Sequence, residues 1–70
     1  MTAEQAISWL TLKPKDLPVF VLIATDPLAP DAIEEWRFLA SRAGVNAQKV
    51  ESAREVIFQC LKWPEKKIPG

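Results

Sequence analysis

The stretch Pro18-Val19-Phe20-Val21-Leu22-Ile23-Ala24-Thr25-Asp26-Pro27 decides how this chain is expected to fold. From Val19 to Ala24 every side chain is apolar, most are β-branched or aromatic, and no polar residue alternates with them. A run this short, held between prolines, predicts a β-strand over about 19–25 that is covered on both faces, in preference to a helix. It is far below the roughly 20 apolar residues that a membrane helix needs. One strand cannot satisfy its own backbone, and an uncovered apolar edge invites aggregation. No second strand is evident elsewhere. The expectation is therefore a homodimer in which two copies pair antiparallel across a two-fold axis, with Val19, Phe20, Val21, Leu22 and Ile23 as the dimer interface. The alternative is a weak pairing within one chain, to the tail or to Thr11–Lys13.

Helices are expected on either side. Thr2 and Gln5 have the spacing of a capping box, which predicts a helix over about 3–12 with Ala3, Ala6, Ile7 and Leu10 on one face. Pro14 and Pro18 end it. Pro30 suits a first helical turn, and Asp31, Glu34 and Glu35 suit the helix dipole there. A second helix over about 30–43 then carries Ala32, Ile33, Trp36, Leu39, Ala40 and Ala43 on one stripe, with Gly44 placed to end it. Asn46 caps a third helix over about 47–63, unless a second capping box at Ser52 and Glu55 starts it later. Its core face is Val50, Ala53, Ile57, Cys60 and Leu61, widened by Val56 and Phe58, and Pro64 closes it before a basic tail over 64–70. The expected fold is mainly α with one β-strand, in the order α-β-α-α, within a single small domain.

Strand, helix, glycine turn, helix is also the order of ribbon-helix-helix repressors. In those proteins the paired ribbon reads base edges with polar or basic side chains. Here both faces of the run are apolar, which disfavours DNA readout. The 9 basic and 9 acidic residues cancel, so no net charge draws the chain to nucleic acid or to an anionic membrane. Lys62, Lys66 and Lys67 suit a helix C-terminus. No secretory signal is legible, so a cytoplasmic protein is expected.

Composition also bears on chemistry. The chain has no histidine, 1 cysteine and 2 glycines, which argues against a disulfide, the common zinc sites, a cysteine–histidine nucleophile and a phosphate-cradling loop. Cys60 falls on an apolar helix face, where a thiol is structural. Glu34 and Glu35 are adjacent on a helix and point about 100° apart, so they make a poor catalytic pair. No enzyme, cofactor or metal is expected. With 70 residues, the chain has a marginal core and gains from association. Phe38 projects opposite the apolar stripe, where it either covers the first helix or a dimer partner or anchors another protein. Phe38, Trp9, Trp63 and Arg37 are the residues expected to meet a partner. Arg54 is expected either to snorkel from a wide core face or to pair with an acid from another element.

Residues 17–64 resemble a group of short proteins of proteobacteria and their temperate phages. The likeness rests on Pro18-Val19-Phe20-Val21-Leu22, Ala24, Asp26 and Leu28-Ala29-Pro30, then Ile33, Trp36, Leu39-Ala40, Ala43-Gly44 and Trp63-Pro64. The resemblance carries no catalytic residues. It implies a phage-encoded modulator or inhibitor that binds a host protein in the host cytoplasm. The expected function is thus a non-catalytic protein-interaction module, with a ribbon-helix-helix-like nucleic-acid-binding regulator as the alternative.

Overall fold

The computed structural model describes residues 1–68 and holds three helices among them: α1 (Ala3–Leu10), α2 (Ala29–Arg42) and α3 (Ala47–Lys62). The end of the expected basic tail, residues 69–70, lies outside the described residues.

Local chemistry explains each helix end. The Thr2 hydroxyl accepts from the Gln5 amide at 3.2 Å and the Gln5 side chain accepts from the Thr2 amide at 2.8 Å, a complete capping box. At the start of α2 the Asp26 carboxylate accepts from the Leu28 amide at 2.8 Å, and Pro30 sits in the first turn, where a missing N–H costs nothing. Gly44, at φ 81°, ends α2 in a Schellman motif: the Val45 amide donates to the Ala40 carbonyl at 3.0 Å and the Gly44 amide to Ser41 at 3.3 Å. Asn46 then accepts from the Gln48 amide at 2.8 Å and starts α3. The capping box expected at Ser52 and Glu55 is not used to start a helix; the Ser52 hydroxyl donates to the Gln48 carbonyl inside α3.

α2 and α3 pack as a helical hairpin, and the buried core lies between them: Ala29 and Ala40 from α2, with Val50, Ile57 and Cys60 from α3. Ile33, Ala53 and Val56 border it, half-buried. Four of the six expected stripe residues, Ala32, Trp36, Leu39 and Ala43, stay exposed, as do Phe58 and Leu61 from the expected face of α3.

The expected strand is absent. Residues 18–23 have no regular secondary structure, and no strand occurs among the described residues, so the α-β-α-α order and the strand paired across a dimer two-fold are both corrected to three helices. Nothing among the described residues offers this run a ladder. Among the described residues its flank meets one backbone group from a distant segment, where the Lys67 amide donates to the Thr25 carbonyl at 2.7 Å. A single bond does not make a strand pair. The topological case for a ribbon-helix-helix regulator falls with the strand that would have formed its ribbon.

α1 differs from its expectation too. It packs against neither α2 nor α3, and none of its residues is buried: Ile7, placed on a core face by periodicity, is 64% exposed.

Candidate interaction surface

Two apolar surfaces remain outside the hairpin. The first joins α1 to the segment that follows it. Leu10, Pro14, Leu17 and Val19 line a shallow open groove at the C-terminal end of α1, with Lys13 and Lys15 at its rim. Beyond the groove lie Phe20, Val21 and Ile23, all exposed, and Phe20 at 87% is almost fully so. Leu22, by contrast, is half-buried. No charge interrupts residues 17–25. Among the described residues the backbone groups of Val19 to Leu22 meet no other backbone group. Of the five positions expected at an interface, four therefore present their side chains outward.

A clip holds the C-terminal flank of this segment. The Lys66 ammonium donates to the Ala24 carbonyl at 3.0 Å and also to the Cys60 carbonyl, which accepts from the Trp63 amide at 3.2 Å as well. With the Lys67–Thr25 bond, it ties the post-helical chain across the end of α3 to the apolar segment. Lys66 was legible in sequence only as part of a basic tail. A flexible ammonium reaching two carbonyls from different elements leaves no periodic trace.

The second surface is the outer face of α2. Phe38 is 55% exposed, and the Arg42 guanidinium lies over its ring at 5.6 Å. It does not cover α1. Trp9 carries Lys13 over its ring at 4.6 Å, and Phe58 carries Arg54 at 5.5 Å. Each is an i,i+4 pair, so each was readable from spacing. An exposed cation–π contact adds about 0.5–1 kcal/mol and leaves most of the ring open. Arg54 also pairs with Glu51 at 3.5 Å, an acid one turn back on α3 itself and not one from another element as expected. Trp63 is exposed at the C-cap of α3.

Arg37 is placed differently from the three aromatics. Its Nε donates to the Val50 carbonyl at 3.0 Å, its Nη1 donates to Glu34 at 2.8 Å, and the side chain is only 18% exposed. It ties α2 to α3. Of the four residues expected to meet a partner, the three aromatics are exposed and Arg37 is turned back into the chain. Cys60, 4% exposed, is a core thiol. Among the described residues no three acidic, cysteine or histidine side chains gather as a metal site, and no helix is long and apolar enough to cross a membrane.

Comparison with known protein families, curated proteins and solved structures finds no match to this chain.

Proposed function

We propose that this chain is a non-catalytic protein-interaction module that works as a homodimer in the cytoplasm and modulates another protein by covering part of its surface. One observation carries it: once the α2–α3 hairpin has formed, large apolar side chains are left facing outward, including Phe20 beside α1 and Phe38 on α2. A chain without histidine, whose lone thiol is a core residue, has little else to offer chemically. Exposed aromatics flanked by charge are the usual anchors of protein interfaces. Phe38, with Arg42, Glu34 and Glu35 around it, fits that pattern, as do Trp9 and Trp63. Arg37 is left out of the contact set because its guanidinium is engaged within the chain. The resemblance of residues 17–64 to short proteins of proteobacteria and their phages supports a host protein as the target and a phage-encoded modulator or inhibitor as the role.

The test is capture with a tagged chain from a proteobacterial lysate, followed by reconstitution with the captured protein. A stoichiometric complex is expected from the wild type and a loss of at least roughly tenfold in affinity from Phe38→Ala, with unchanged thermal unfolding. A captured set that matches an empty tag would overturn the proposal.

A further inference from the structure

We infer that the surface made by α1 and residues 17–23 is where a second copy of this chain binds, through its side chains and without a shared sheet. This rests on the interaction-module reading and assigns one of its two surfaces. The exposed area is the first ground. A compact monomer of 7.9 kDa exposes about 4,400 Å², whereas this chain exposes 6091 Å², about 1,700 Å² more. Its radius of gyration, 13.1 Å, likewise exceeds the roughly 11 Å of a compact domain of this length. Covering only half of that excess on each of two protomers buries about 1,700 Å² in total, a standard stable interface. Covering all of it reaches the range of obligate homodimers.

The second ground is α1 itself. α1 has 8 residues and touches neither other helix, yet an isolated helix below about 12–15 residues is marginal in water. A complete capping box and an apolar face are of little use to a helix with nothing to lie on. Leu17, Val19, Phe20, Val21 and Ile23 extend that face without a charge. The third ground is the core. Five buried residues among those described, two of them alanine, are few for a chain that must fold unaided. An occupant that completes a core has to be present whenever the chain is made, and only another copy meets that condition. A two-fold pairing sets apolar surface against the same apolar surface, and Phe38 on α2 stays free for a foreign protein.

The mass of the full chain in solution tests this, by light scattering and sedimentation from about 1 nM to 100 µM, a range that brackets the affinities of most interfaces of this size. Twice 7.9 kDa is expected for the wild type. Ile7→Asp and Phe20→Glu should each weaken the dimer roughly thirtyfold or more, the scale of an interface hot spot. Both side chains are exposed, so neither change removes a buried group of the hairpin, and far-UV circular dichroism should retain the α2–α3 helical signal. Phe38→Glu should remain a dimer. A wild type of 7.9 kDa throughout, or a dimer that survives both α1-side variants and is lost in Phe38→Glu, would overturn the inference. Capture of a foreign protein that depends on Phe38 in a single-chain species would leave the functional proposal standing while removing this one.

Discussion

Arg37 gives the sharpest test of what joins the two long helices. Replacing it with methionine keeps an apolar stem of similar length and removes the guanidinium. Two interactions disappear: the bond to the Val50 carbonyl on α3, and the pair with Glu34 one turn back on α2. A hydrogen bond from a charged group contributes about 1.5–3 kcal/mol. The Val50 carbonyl lies inside a helix and keeps its ladder partner, so it is not orphaned and the lower end applies. The Glu34 pair adds about 0.3–0.5 kcal/mol at most, because Glu34 is 61% exposed. The expected loss is thus about 1.5–2 kcal/mol, nearly all of it from the interhelical bond. At roughly 4–8 °C per kcal/mol for a domain of this size, Arg37→Met should lower Tm by about 6–16 °C. Glu34→Gln should lower it by no more than about 4 °C. Thermal unfolding by circular dichroism reads both, at one fixed protein concentration because association shifts Tm. If Glu34→Gln costs as much as Arg37→Met, the ion pair carries the effect and the reasoning is wrong.

Three further outcomes follow from particular residues. Gly44→Ala should destabilise by about 1–2 kcal/mol purely through its positive φ, since the space around an added methyl is open; Gly44→Asn should recover part of this, and denaturant midpoints compare them. Ile57→Ala, at the centre of the seam, should cost about 2–4 kcal/mol by chemical denaturation, a large share of a small domain's stability; a cost below about 1 kcal/mol would place the core elsewhere. Thr2→Ala breaks the capping box and should fray α1, worth about 0.5–2 kcal/mol, in a variant already made monomeric. There the amides of α1 should lose protection while the unfolding midpoint of α2–α3 holds, because the helices share no contact.

The ends of the helices were readable in the sequence because side chains and prolines set them locally. Thr2 with Gln5, Asn46, Pro30 and Gly44 each act within a few residues, and helix limits differ from expectation by two positions at most. Val50, Ile57 and Cys60 were also legible, since a 3.6-residue period marks whatever face a long helix buries. Composition alone did not fix the state of Val19–Ala24. β-branched and aromatic residues favour an extended chain, but a strand exists only where another backbone lies alongside, and that is a property of the whole fold. Ile7 misled for a related reason: periodicity tells which face of α1 is apolar and not whether another element reaches it. Phe38 was correctly expected to face outward, because the stripe Ala32–Ala40 leaves it on the far side of the same helix. Arg37 lies at the edge of that stripe, where only the neighbouring helix decides whether an arginine points to water or back to a carbonyl.

Amide hydrogen exchange on the Ile7→Asp monomer puts the division of the molecule to the most direct trial. Amides of Ile57 and Cys60 should open only with global unfolding, while those of Val19, Phe20, Val21 and Leu22 exchange at nearly the rate of a free peptide. Equal protection in the two regions would mean that the apolar run is hydrogen-bonded within one chain, contradicting a hairpin core that leaves it open.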